Sequence, residues 1–258
     1  NKADVSLTFA LDTSYTELMT LEQLQSVIAN VTSDEATVTA AKTAIANGEA
    51  VSGVNTGETF TLTTGLDSLT GTTRNDSFTA LVDKNTTANT TFSALDTIDG
   101  GNGTDSLTLN FVGNGTDGDD DNELQALPAA QISNVETLTI RAAGDLGEKG
   151  GAGLDLTNAS FSTVNVTIAN DADLDVATTA DVNLSGITGA IDLDGGKTVS
   201  VSDATANQNI TVGANTAATG TVTVTDTKQG TGNIAVDGGT DSTVTSTVTA
   251  TAAVAAGT

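Results

Sequence analysis

The stretch DGGNGTDSLTL, Asp99 to Leu109, carries the most specific chemistry in this 258-residue chain. Gly100-Gly101-Asn102-Gly103-Thr104-Asp105-Ser106-Leu107-Thr108 matches the nonapeptide GGxGxDxUx at every position. Glycines reach positive φ, which lets successive carbonyl oxygens turn toward a cation. Asp105 adds a carboxylate, and Leu107 anchors the strand that follows. An all-oxygen donor set of this kind suits Ca2+. The expected ligands are Asp76, Asp99 and Asp105, with Gly101 and Gly103 shaping the turn and Asp67 and Asp96 next in rank.

Asp76 enters because an upstream copy, Gly71-Thr-Thr-Arg-Asn-Asp76-Ser-Phe78, keeps the first glycine, the aspartate and the following apolar residue. The second and third glycines have become Thr72 and Arg74. Asp67-Ser-Leu69 precedes one copy and Asp96-Thr-Ile98 the other, so a duplicated strand–turn–strand unit accounts for both. Downstream, the acidic run Asp117, Asp119, Asp120, Asp121 and Glu123 offers flexible carboxylates that could complete a calcium shell, although such a run is also what a solvated loop looks like. Asp194-Gly195-Gly196 and Asp237-Gly238-Gly239 echo the turn without its third glycine and read as corners.

The rest of the composition narrows the chemistry. The chain has 33 acidic and 8 basic residues, a formal net charge of -25. That excludes the basic stripe nucleic acid requires and any electrostatic docking on anionic lipid. There is no Cys, His or Trp, so disulfides, thiolate nucleophiles, structural zinc sites and the commonest general base are absent. Carboxylate pairs of the glycosidase kind arise by chance in so acidic a chain, and no base or oxyanion constellation accompanies them, so no catalytic residue is assigned and an enzyme is not expected. No apolar run is long enough to span a membrane. The chain begins at Asn1 without Met or a signal peptide, which leads to the expectation of a fragment of a longer protein or a processed form.

Three segments must position these residues. Residues 1–50 read as helical: Thr20 to Gln23 forms a capping box before Leu21, Leu24, Val27, Ile28 and Val31. Ser33 or Asp34 caps a second helix carrying Val38, Ala41 and Ile45, which Asn47-Gly48 stops. This segment is expected to be the tail of a preceding helical domain. Residues 51–140 switch to period two and form the calcium-binding β unit, with 83–91 an exposed loop. Residues 141–258 are a Thr/Val-rich series of short units such as Val164-Val166, Leu174-Val176, Val182-Leu184 and Ile191-Leu193, recurring every 8 to 12 residues through most of the region. The fold class is therefore mainly β, either β-solenoid or β-roll-like repeats or β-sandwich domains, with a short helical N-terminal segment. The lack of any aromatic residue beyond Phe161 favours the solenoid, because a sandwich core about 10 Å thick is usually filled in part by large rings.

TFTLTTGLDSLTGTTRNDSFTA, LDTIDGGNGTDSLTLNF and ISNVETLTIRA, followed by Thr/Val repeats, together resemble Gram-negative bacterial surface-layer (S-layer) proteins and related RTX-like calcium-binding surface proteins exported by type I secretion. The motifs specific enough to carry the resemblance lie within residues 60–140. It implies calcium-dependent folding outside the cell, at the bacterial cell surface, and lateral or filamentous assembly with copies of itself. In repeat-in-toxin β-rolls calcium lies between turns of neighbouring repeats, and only Asp76, Gly100, Gly101, Gly103 and Asp105 match that motif here. No tandem nonapeptide array follows, so few, loop-built sites are expected. The alternative is an adhesin module binding a glycan, with cell-surface polysaccharide as a partner. The scarcity of aromatics, one Tyr and six Phe, weighs against it.

Overall fold

The computed structural model describes residues 2–11, 25, 27–46, 56–113, 123–148 and 152–248. Helix α1 spans Lys2–Leu11 and α2 spans Glu35–Ala46. The Oδ1 of Asp34, rather than Ser33, caps α2 by accepting the Ala36 N–H at 3.0 Å. Of the expected helix through Val31, Gln25 is helical, but residues 27–30 form turns, with the Val31 N–H bonded to the Ile28 carbonyl. The Thr20–Gln23 box and Asn47-Gly48 lie outside the described residues. Val5, Phe9, Val27, Val31, Val38 and Ile45 bury one another in a small core of their own. A 3₁₀ turn at Thr87–Asn89 adds helical geometry beyond this N-terminal segment, within the stretch expected as loop.

All else described is mainly β. In chain order the strands are β1 (Thr56–Thr61), β2 (Ser68–Thr70), β3 (Asn75–Asp83), β4 (Thr97–Asp99), β5 (Ser106–Val112), β6 (Gln131–Ser133), β7 (Thr137–Ala143) and β8 (Leu154–Leu156). There follow β9 (Thr163–Ile168), β10 (Ala172–Val176), β11 (Asp181–Ser185), β12 (Ile191–Gly195), β13 (Val199–Asp203), β14 (Ile210–Val212), β15 (Thr221–Gln229), β16 (Ile234–Val236) and β17 (Asp241–Val248). The odd-numbered strands form one sheet in sequential order, β1-β3-β5-β7-β9-β11-β13-β15-β17. Even-numbered strands form two others, β2-β4-β6 and β16-β14-β12-β10-β8. These are long parallel sheets, compatible with a β-solenoid or roll and unlike the antiparallel pairing of an immunoglobulin-type sandwich.

The chain divides into two compact units. One comprises Asn1–Ala80, Thr91–Thr108 and Ala129–Thr137; the other comprises Leu81–Thr90, Leu109–Pro128 and Leu138–Thr258. In the second, like stacks on like: Val164, Val182, Val199 and Val222 are successive partners, as are Val166, Leu184, Val201, Val224 and Val244, and Leu154, Leu174, Leu193, Val212 and Val236. β-branched and Leu side chains at period two fill most of a thin interior, with Phe111 and Phe161 its buried rings, and each fully buried aliphatic one contributes about 1.5–3 kcal/mol. In the first unit Leu69, Ile98 and Ile132 form the corresponding ladder, and Phe60 stacks on its partner Phe78 with centroids 4.9 Å apart.

Candidate cation site

In the first unit carboxylates accept backbone N–H groups at and near the starts of strands. Asp76 Oδ1 accepts the Glu58 N–H, Asp105 Oδ1 accepts the Asp76 N–H at 2.6 Å, and Glu136 Oε2 accepts the Asp105 N–H at 2.7 Å. Glu58, Asp76, Asp105 and Glu136 thus occupy one position in successive repeats, with the Asp76, Asp105 and Glu136 side chains each capping the repeat before. Asp76 also accepts from its own turn, through the Thr72 N–H at 2.6 Å and the Thr72 hydroxyl. The Asp105 carbonyl is itself engaged by the Glu136 and Thr137 N–H groups. Both Asp76 and Asp105 are fully buried.

Glycine makes this stacking possible. A Cβ on Gly71 would lie 2.7 Å from Asp76 Oδ2, and one on Gly100 would lie 2.5 Å from Asp105 Oδ2. Each would also strike a backbone carbonyl of the next repeat, Gly100 O and Asn134 O respectively. Gly101 and Gly103 have φ of 89° and 130°, and a Cβ on either would strike the Thr72 or Arg74 carbonyl oxygen.

The other expected ligands do different work. Asp67 and Asp96 are buried and equivalent: the Asp67 N–H donates to Asp96 Oδ1 at 3.1 Å. Each carboxylate also caps its own turn, Asp67 through the Thr63 N–H and Asp96 through the Ser93 N–H, both at 2.7 Å. Asp99 accepts the Asn134 amide at 2.7 Å and the Gly101 N–H at 3.2 Å. Those bonds, the Asn134 amide foremost, hold its carboxyl below the usual range. Asp117, Asp119 and Asp121 lie outside the described residues.

Asp105 alone among these is left with an unsatisfied charge. Its Oδ2 is buried with no hydrogen-bond partner. Burial pushes the carboxyl up to about 7; the Asp76 N–H works against that, and the nearby charges of Asp76, Glu136 and Asp99 add to it. Glu136 had not been singled out from sequence. Its repeat, Ile132-Ser-Asn-Val-Glu136, has a turn three residues shorter between apolar anchor and acid than the turns ending at Asp76 and Asp105 and no glycine, with Asn134 supplying the positive φ of 51°. Among the described residues no three acidic side chains are grouped so as to hold a metal ion. The corner therefore offers one buried, unpaired carboxylate oxygen in a field of like charge, framed by glycine backbone.

The second unit holds an arrangement that sequence reading passed over. Asp173 pairs in register with Asp192, and Asp175 pairs with both Asp155 and Asp194. Burial, followed by Asp192, Asp175 and Asp194, raises Asp173 to about 6. Burial and neighbouring carboxylates also raise Asp175 and Asp192. Burial acts the same way on Asp194, but the Thr216 and Asn215 N–H groups and the Asn215 amide outweigh it and hold that carboxyl low. The signal was present as the alternation LDL, DLDV and DLDG at residues 154–156, 173–176 and 192–195. No known protein-family model matches the chain, and no curated protein is significantly similar to it.

Proposed function

We propose that this chain is a calcium-stabilised structural module of a bacterial cell-surface layer, built as a β-solenoid that assembles with copies of itself outside the cell. The observation that carries the reading is Asp105: a fully buried carboxylate with one unpaired oxygen, in a glycine corner whose backbone admits close approach. Leaving a buried charge unpaired is costly, and a hard cation is the partner that oxygen chemistry selects. Asp105 would be the first ligand, with Asp76, Asp99 and Glu136 supplying the surrounding negative field. Asp96 accepts backbone N–H groups on both oxygens and Asp67 accepts the Thr63 N–H and hydroxyl, so both act as turn caps. When bound, calcium supplies positive charge and oxygen coordination that bind neighbouring turns together. The net charge of -25 makes cations a general condition for compactness as well.

Three all-parallel sheets with like residues stacked in register suit a structural role, since a repeating stack is stabilised by nearest-neighbour interfaces. The test is melting temperature and particle size of the full chain in calcium chloride and in excess chelator. Calcium should raise the melting temperature and drive growth in particle size. If neither responds, the reading fails.

A further inference from the structure

In the second unit, β13 and β15 each run two apolar residues inward and then an aspartate on the same face. Val199, Val201 and Asp203 alternate as buried positions on β13, and Val222, Val224 and Asp226 do so on β15. The two aspartates are direct partners in the parallel register. They are 2% and 1% exposed, so both carboxylates belong to the interior. Each uses Oδ1 to accept a backbone N–H two residues on, from Thr205 at 2.9 Å and Lys228 at 2.8 Å. Each leaves Oδ2 buried with no partner. Asp83 shows that the chain can finish such a carboxylate when it needs to: its Oδ1 takes the Thr86 N–H and its Oδ2 takes the Asn89 amide at 2.9 Å. No such amide serves Asp203 or Asp226.

We propose that Asp203 and Asp226 together hold one calcium ion between adjacent strands, through their two unpaired Oδ2 atoms. Neighbouring strands lie about 4.8 Å apart, and in-register side chains on one face keep that spacing. An ion midway would sit about 2.4 Å from each oxygen, the coordination distance of calcium and longer than magnesium accepts. Ser246 follows Asp226 in register on β17 and continues the column with a hydroxyl. Water and backbone carbonyls complete the shell, as calcium sites allow. This site is separate from the glycine corner and shares no residue with it.

Native mass spectrometry of the full chain titrated with calcium chloride counts the ions directly. Asp203→Asn/Asp226→Asn should bind one calcium fewer than the parent chain, while Asp105→Asn loses a different ion and leaves this one. The single variant Asp226→Asn keeps the shape and places an amide donor beside Asp203 Oδ2, so it covers the case in which the double variant does not fold. It too should lose one ion and keep its melting temperature in chelator. An unchanged calcium count in either variant overturns the proposal, and points to a proton shared between the two oxygens. A count that falls only in Asp105→Asn sinks this site and leaves the glycine corner standing. If the parent chain binds no calcium, both are lost.

Discussion

The two units bury carboxylates in opposite ways. In the first, aspartates stand at turns, and nearly every oxygen accepts a backbone N–H from its own turn or from the preceding repeat. In the second, Asp173, Asp175 and Asp192 stand on strands, where pleating puts like charge beside like charge at strand spacing. A carboxylate at a turn accepts backbone N–H groups, so it stabilises the fold without a counterion. One on a strand without such donors, as at Asp173, Asp175 and Asp192, competes with its neighbour and needs a proton or a cation. Chemically identical side chains therefore carry opposite signs of stabilisation, set by where the repeat places them.

The comparison breaks first if glycine is not what allows the turn carboxylates to stack. Gly100→Ala would force a Cβ into the Asn134 carbonyl and against Asp105 Oδ2. It should cost roughly 3 kcal/mol or more in urea denaturation. Gly65→Ala, where only Thr63 Oγ1 lies near at 3.5 Å, should stay within about 0.5 kcal/mol of the parent. Equal effects at the two positions would remove the steric argument. Next in size, Asp76→Ala leaves the Glu58 and Thr72 N–H groups without acceptors and should cost about 2–3 kcal/mol with or without calcium. A cost that appears only in calcium would make Asp76 a ligand rather than a cap.

Asp105 sits between the two behaviours, and pH separates them. Its carboxyl is raised to about 7 in the folded chain against an ordinary value of 3.8. Below about pH 4 both folded and unfolded forms carry the proton. As pH rises from about 4 to about 7, the unfolded chain has released it while the folded chain still holds it, so this group's contribution to stability is lost across that window. In chelator, Asp105→Asn should flatten that part of the pH profile and raise stability at pH 8 by on the order of 2 kcal/mol. In calcium the variant should show a smaller thermal shift than the parent. An unchanged profile in chelator would mean that Asp105 does not hold an unpaired charge.

Much of this arrangement was legible in the residues. The pattern Gly71…Asp76 and Gly100…Asp105 implied a duplication, and the register of Leu69 on Ile98 has that spacing. The V-x-V series implied short strands, which stack valine on valine. Two things were hidden. The third corner at Asn134 and Glu136 has no glycine, because Asn tolerates positive φ where a shorter turn suffices. The acidic columns were hidden because period-two reading attends to the buried residue and treats the one between as solvent; only parallel register makes Asp173 and Asp192 neighbours, and register is a property of repeat length, not of local pattern. The N-terminal helices show the same limit in reverse, since helical spacing at Val27, Ile28 and Val31 serves a turn whose apolar residues pack on α1 and α2.

The smallest expected effect is also the most direct test of opposite signs. Asp173 is raised to about 6 by burial and by its neighbours Asp192, Asp175 and Asp194. Its contribution to stability is full below about pH 4 and is lost as pH rises through about 6. Asp173→Asn removes one charge from the column and keeps its shape. In chelator at pH 8 it should stabilise the chain by about 1 kcal/mol, and by pH 4 the gain should vanish because the parent is then protonated as well. A melting series at pH 4, 6 and 8 reads the difference. Loss of stability at pH 8 would mean that the strand carboxylates, like those at the turns, have protein partners, and the distinction between the two units would then fall.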